Sequence, residues 1–311
     1  MKQHAAVVGA GVIGSAWAAR FALHGIDVKV SDPNPDAPRI IDEVLGNARS
    51  AWADLGLPRP AEGTVTLVGS LAEAVDGAGH IQESAPEDPA IKVPILEQIA
   101  AACPPETVIA SSTSGIKPSE LQPTIANPER LVVGHPYNPV YLIPVVEVVG
   151  GELTSDTAVA KAIAMYEAIS MKPVHVRVEI DAFIGDRLLE AVWREALWLV
   201  NDGVATTEEI DDVIRFGFGL RWRRWACSRP IGSPVAKEGW LISSASSVRV
   251  SSGRGPSWWT YPSSPRNWST GSPISQMPNP ALVRSASSNA SVIATWPASC
   301  EPSRATTGGP A

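Results

Sequence analysis

Cysteine is scarce: Cys103, Cys227 and Cys300 are the only three in 311 residues. They have neither the number nor the spacing of a disulfide framework or a zinc site, which predicts a reducing, cytoplasmic setting and no metal centre. Long apolar runs are missing too. The stretch AAVVGAGVIGSAWAARFALHG is broken by Gly, Ser and Arg20 and has no basic segment ahead of it, so it reads as neither signal peptide nor membrane span. Acidic residues vanish after Trp222, where only Glu238 and Glu301 remain and Asp is absent. Residues 1–222 carry 16 Lys+Arg against 30 Asp+Glu, and residues 223–311 carry 9 against 2, so a net of −14 is followed by one of +7. The acidic front part argues against a nucleic-acid partner, and the scattered Arg of the end forms no patterned face.

The chain is long enough for two domains of ~100–200 residues each, but its end is not an ordinary one. Residues 223–311 hold 20 Ser and 11 of the 28 Pro, with little Leu, Val or Ile. Such a segment cannot bury enough apolar area to offset its ordering entropy.

Within the first 222 residues, short β-rich runs alternate with helical ones. Strands are expected at AAVVG, at 27–31 (DVKVS), 64–68 (TVTLV), 80–84 (HIQES), 108–112 (VIASS), 131–135 (LVVGH) and 145–149 (VVEVV), with helices at 15–23, 39–53, 88–102 and 155–169. This alternation predicts an α/β fold, a parallel sheet with crossover helices on both faces. From Asp181 the period changes. Phe183, Ile184, Leu188, Leu189, Val192, Trp193 and Leu197 recur at helical steps, Asn201-Asp202-Gly203 ends the run, and Thr206 with Glu209 makes a capping box for a further helix. The expected layout is a Rossmann-type domain over 1–178, the start of an all-helical domain over 179–222, and a disordered or irregular tail over 223–311.

Gly9-Ala10-Gly11-Val12-Ile13-Gly14 is a G-x-G-x-x-G between strand and helix. The first glycine permits the tight turn, the second lets backbone N–H groups approach a pyrophosphate, and the third lets helix pack on strand. Alone the pattern is weak, but Asp32 stands 18 residues after Gly14, close to the spacing expected of a carboxylate that binds a ribose 2′-OH. A carboxylate there repels a 2′-phosphate, so NAD is favoured over NADP.

In GHPYNPVYLIPVVEVVGG, His135 closes one strand and Glu147 lies in the next. Open α/β sheets place their ligands at the carboxyl ends of strands. A neighbouring carboxylate would hold one ring nitrogen and raise the basicity of the other. By residue types alone a structural His–Glu pair is as good a reading; downstream of a nucleotide fold, catalysis is ahead. His4, His24, His80 and His175 lack partners at ligand spacing and read as structural or surface groups.

With these motifs on hand, residues 4–222 resemble the 3-hydroxyacyl-CoA dehydrogenase family. The resemblance implies a substrate-binding Ser114 in ASSTSGI, a catalytic His135 partnered by Glu147, and a homodimer formed through the helical domain. It also implies NAD contacts from Asp32, Glu87, Lys92, Ser114 and Asn138. One position departs: where the family has an active-site Asn in a run like FIVNRLL, this chain has Asp186 in FIGDRLL. A carboxylate suits a cationic substrate, and the runs DAFIGDRLLEAVWREALWLV and TTEEIDDVIRFGFGLRW resemble family members that oxidise the 3-hydroxyl of a quaternary-ammonium hydroxy acid. Aromatic faces attract such a cation. Tyr137, Tyr141, Trp193 and Trp198 are candidates, although aromatics at helical spacing more often belong to cores. Other 3-hydroxy acids, 3-hydroxyacyl-CoA or a sugar acid stay open as substrates, as does an inactive NAD-binding remnant.

The tail permits a specific explanation. Among the codons available to RRWACSRPIGSP, one choice restored by a single G after codon 222 reads AQMGLFETYRIA, a helical continuation, and three later stretches behave alike in the same frame. Residues 223–311 are therefore expected to be the product of one lost nucleotide.

Overall fold

The computed structural model describes residues 4–58 and 60–225. The chain divides into two compact units, 1–193 and 194–311. The first runs β1 (Ala5–Val8), α1 (Val12–Leu23), β2 (Val28–Ser31), α2 (Ala37–Asp54), β3 (Val65–Leu67), α3 (Leu71–Val75), β4 (His80–Glu83) and α4 (Pro89–Ala102). It continues with β5 (Val108–Ser111), α5 (Pro118–Leu121), β6 (Leu131–Pro136), β7 (Val145–Gly150), α6 (Asp156–Ala168) and β8 (Lys172–Val176). Next come α7 (Gly185–Asn201), α8 (Thr207–Val213), a π-helical segment (Ile214–Phe218) and α9 (Gly219–Trp225).

The strands form one eight-stranded sheet in the order β3-β2-β1-β4-β5-β6-β7-β8. Strands β1, β4, β5 and β6 are buried along their whole length, as expected of central strands covered on both faces. Helix α1 is buried from Gly14 to Leu23 because it is apolar nearly all round. Its one charge, Arg20, is satisfied by the carbonyls of Ile169 at 3.0 Å and Ser170 at 2.6 Å, and burial lowers its pKa to about 10. Helix α2 instead buries one stripe, Ile41, Leu45, Ala48 and Trp52, against that layer.

The expected parallel sheet forms, with one antiparallel pairing that the alternation did not specify. β6 and β7 are antiparallel, with His135 paired to Glu147. Residues 137–144 between them are too few for a crossover helix, and only an antiparallel return is short enough. β8 was not expected as a strand. Pro173 lies within it, which a strand tolerates at the sheet edge, where β8 stands.

A correction concerns Phe183 and Ile184. They precede α7 rather than opening it, with Ala182 at φ 59° and Phe183 at φ 46°. Phe183 is fully buried with Val133, Val149 and Val176, so its apolar periodicity reports a separate small core. The capping box forms as expected: Thr206 Oγ accepts from the Glu209 N–H, and Glu209 Oε2 accepts from the Thr206 N–H at 2.7 Å. Among the described residues no helix is long and apolar enough to cross a membrane. The expectations for residues 226–311 lie outside the described residues.

Candidate active site

The first element of the site is the turn between β1 and α1. Gly9 has φ 97°, in the left-handed region that favours glycine, and a Cβ there would stand 2.6 Å from the Ser84 carbonyl oxygen. A Cβ at Gly14 would meet the Gly9 oxygen at 1.8 Å, so helix and strand approach as closely as the motif requires. Around Gly11 the space is open, and α1 starts there with no side-chain cap and no acidic residue in its first turn. Val12 is 63% exposed at this start, while Ile13 turns toward the core. An open cradle at a helix N-terminus suits a pyrophosphate. Asp32 follows β2 and closes the turn from the other side, its Oδ2 accepting from the Ala10 N–H at 2.5 Å and its Oδ1 from the Asn34 N–H at 2.7 Å. These residues fit a dinucleotide.

The second element is a buried ion pair below the loops that follow β4 and β5. Lys92 on α4 is 1% exposed, and its ammonium donates to Glu83 Oε1 at 2.9 Å and to the Ala85 carbonyl at 2.9 Å, with Glu87 Oε2 at 3.5 Å. An ammonium has three N–H donors, and three protein oxygens surround this one. Glu87 Oε1 accepts from the Thr113 hydroxyl and from the backbone N–H groups of Ser114 at 2.9 Å and Gly115 at 3.1 Å. Burial would raise the Glu87 pKa, but these donors and the Lys92 charge outweigh it and hold the carboxyl below its usual value. Lys92 thus sits on Glu87, and Glu87 on the 113–115 loop. That arrangement supports action of Lys92 through Glu87 rather than by touching a cofactor. Ser114 itself is exposed.

The third element is the β6–β7 pair. His135 Nδ1 stands 2.9 Å from Glu147 Oε2, and both residues are buried. The other Glu147 oxygen accepts from the Ile184 N–H at 2.9 Å and the Gly185 N–H at 3.0 Å. Burial opposes the Glu147 charge, yet the hydrogen bonds from His135, Ile184 and Gly185 prevail and lower its pKa. A carboxylate held in this way favours the His tautomer with Nδ1–H inward, which leaves Nε2 as the ring nitrogen able to accept a proton. The Tyr137 ring lies 5.4 Å from the imidazole, and its hydroxyl pKa is raised to about 12, first by burial and then by the Glu147 and Asp186 charges. Asn138 is exposed just past β6.

Several supporting residues carry no local signal in the sequence. The Gln82 amide donates to the Gly134 carbonyl at 3.3 Å and to Ser112 at 2.8 Å, and its Oε1 accepts from the Tyr166 hydroxyl at 2.8 Å. A Cβ on Gly134 would meet that hydroxyl at 1.9 Å. This buried network backs the strand that carries His135. Only the fold joins residues 82, 112, 134 and 166. His80, also buried there, has its pKa lowered to about 4 by desolvation.

A glycine-rich strand-to-helix turn, an acidic residue after β2 and a histidine–carboxylate pair at the same sheet edge define a nucleotide-dependent dehydrogenase class. Residues 4–180 match the family described as 3-hydroxyacyl-CoA dehydrogenase, NAD binding domain, and residues 183–250 match its C-terminal domain. The chain belongs to the 3-hydroxyacyl-CoA dehydrogenase family, and its cofactor is NAD. It is 54% identical over 218 residues to L-carnitine dehydrogenase of Pseudomonas aeruginosa, covering 70% of this chain and 68% of that one. It is 56% identical over 218 residues to L-carnitine dehydrogenase/betainyl-CoA thioesterase of Agrobacterium fabrum, covering 70% of this chain and 44% of the relative. The chain thus spans less than half the length of some curated relatives it matches. Among solved structures, it resembles a 5-formyl-3-hydroxy-2-methylpyridine 4-carboxylic acid 5-dehydrogenase, with a TM-score of 0.67, 34% identity and coverage of 71% and 72% of the two chains. It also resembles 3-hydroxybutyryl-CoA dehydrogenase of Escherichia coli K12, with a TM-score of 0.61, 28% identity and coverage of 69% and 46%.

The acidic residue after β2 gives a direct test of cofactor choice. Asp32→Asn is expected to weaken NADH about tenfold or more, since a hydrogen bond to a charged group contributes ~1.5–3 kcal/mol, and to narrow the NADH-over-NADPH preference. Fluorescence titration with both nucleotides checks this; an unchanged ratio removes Asp32 from the ribose site.

Proposed function

We propose that this protein oxidises L-carnitine to 3-dehydrocarnitine with NAD as hydride acceptor. The carrying observation is the buried His135–Glu147 pair in an NAD-binding fold of this family. His135, oriented by Glu147, takes the proton of the 3-hydroxyl, while Ser114 hydrogen-bonds the reacting oxygen. NAD, when bound, supplies the hydride acceptor. Asp186 and the neighbouring aromatic residues favour a quaternary ammonium group, and curated relatives of this chain are named for L-carnitine. The proposed setting is cytoplasmic, consistent with a free buried Cys103. The proposed homodimer draws support from α7, where Leu188, Leu189, Trp193 and Leu197 are exposed among the described residues.

The domain limits proposed are 1–178, 179–222 and 223–311, with the last an aberrant product of one lost nucleotide. Its support is the switch from acidic to basic, Ser-rich text after Trp222. The match to the C-terminal family domain, which runs to residue 250, weighs on the other side. On this reading the chain as written binds NADH but turns over little. Resequencing across codon 222, followed by assay of the encoded and frame-restored proteins with L-carnitine, 3-hydroxybutyryl-CoA and L-gulonate, tests both parts. NAD reduction strongest with L-carnitine in the restored protein supports the substrate. A single intact frame in independent isolates overturns the lost nucleotide, and preference for another substrate overturns carnitine.

A further inference from the structure

We propose that Tyr137 is the residue that receives the substrate's cationic group, and that Gly185, by lacking a side chain, makes room for the Tyr137 ring beside His135. This assignment rests on the reading of the substrate as a quaternary-ammonium hydroxy acid.

Reach is the first argument. In L-carnitine the ammonium nitrogen is two bonds from the carbinol carbon, so the face that receives it must lie beside the base. Cation–π attraction operates within about 6 Å of a ring centroid. Tyr137, with its ring 5.4 Å from the His135 ring, satisfies both conditions. Tyr141 does not offer the same service: it packs against the first core cluster, and its carbonyl accepts from the Trp52 indole at 2.7 Å. Trp193 is 57% exposed, and a cation over a wet ring gains little. Trp198 falls in the second compact unit.

Charge is the second argument. The carboxylates of Glu147 and Asp186 both act on the Tyr137 hydroxyl, so the ring lies in a negative potential while staying un-ionised itself. Glu147 is committed to His135 and to two backbone N–H groups, which leaves Asp186 as the nearby carboxylate with charge to offer. An aromatic face backed by a carboxylate is a favourable receiver for a cation that cannot donate hydrogen bonds.

Space is the third. A Cβ at position 185 would run into the Tyr137 hydroxyl and the ring carbon bearing it. Gly185 opens α7 without a left-handed φ, so glycine is required here by room and not by backbone geometry. Any larger residue must push the ring off its place beside His135 or shift the start of α7, whose N–H holds Glu147.

The test is titration calorimetry with NADH present, run on the encoded full chain and on its frame-restored form, comparing L-carnitine with its neutral carbon isostere, 3-hydroxy-5,5-dimethylhexanoate. The parent should bind L-carnitine about tenfold tighter than the isostere, the size expected of a partly desolvated cation–π contact. Tyr137→Leu should erase that preference, Tyr137→Phe should keep most of it, and Gly185→Ala should lose it, with NADH affinity near that of the parent. A preference that survives in Tyr137→Leu overturns the assignment to Tyr137 and leaves the substrate reading intact. No preference in either form of the parent, or no binding of L-carnitine by either, overturns the substrate reading and this assignment with it. If Tyr137→Leu fails to bind NADH, Gly185→Ala carries the same decision.

Discussion

In the frame-restored protein, His135→Gln is expected to lower kcat for carnitine oxidation by about 10²–10⁴-fold, the usual contribution of a positioned general base, while NADH affinity stays near that of the parent. Stopped-flow measurement of NAD reduction, paired with NADH titration, separates the two. The same pair sets a pH dependence. The folded Glu147 pKa is depressed below its ordinary 4.5, so the stability it contributes is fully present above that value and is lost as pH falls through the folded pKa. Glu147 therefore stays ionised across the range in which a histidine of ordinary pKa titrates, and any acid-side loss of activity near neutrality belongs to another group. Glu147→Gln keeps the shape but removes the charge, and its rate should fall with little change in cofactor binding. Full turnover in His135→Gln would remove it as the base.

Lys92→Met should destabilise the protein more than any change on its surface. Glu83 is fully buried and takes donors from Lys92 at 2.9 Å, from the Ala85 N–H at 2.6 Å and from Ser111 at 2.5 Å. Removing the one cation that the described residues place on Glu83 leaves a buried carboxylate without its counter-charge, which costs about 3–5 kcal/mol. For a unit of this size that corresponds to a fall in Tm of roughly 6–20 °C, read by thermal melting. Loss of the Lys92 ammonium also loosens Glu87, so the 113–115 loop that carries Ser114 should become less ordered. A direct cofactor ligand would behave otherwise: NADH affinity would fall sharply while Tm hardly moved. That pattern would overturn the positioning role argued from the geometry.

The dinucleotide half of the site was legible because its signal is local. Gly9, Gly11, Gly14 and Asp32 lie in one β-α-β unit, where the spacing of turn, helix and strand leaves little freedom. His135 and Glu147 were legible for a related reason, since a short connection joins neighbouring strands. Their register was not. A one-residue slip would turn Glu147 to the opposite face of the sheet, and only the folded β6–β7 pairing sets it against His135. Phe183 misled the helix boundary because a separate three-valine core calls for an apolar residue at a spacing that a helix also uses.

By itself, then, the sequence determined the alternating strand and helix pattern, the glycine-rich turn and the histidine and carboxylate that are proposed as base and partner. Each follows from side-chain type at short range. Tertiary structure alone decided that Lys92 is spent on Glu83 and Glu87, that Gln82 and Tyr166 brace Gly134, and that Tyr137 rests on Gly185. These contacts join residues that are distant in the chain, and their energies depend on burial and close approach, neither of which a linear pattern contains. Tertiary structure likewise sets the Tyr137 ring, one of the four aromatic candidates for a cation, against His135.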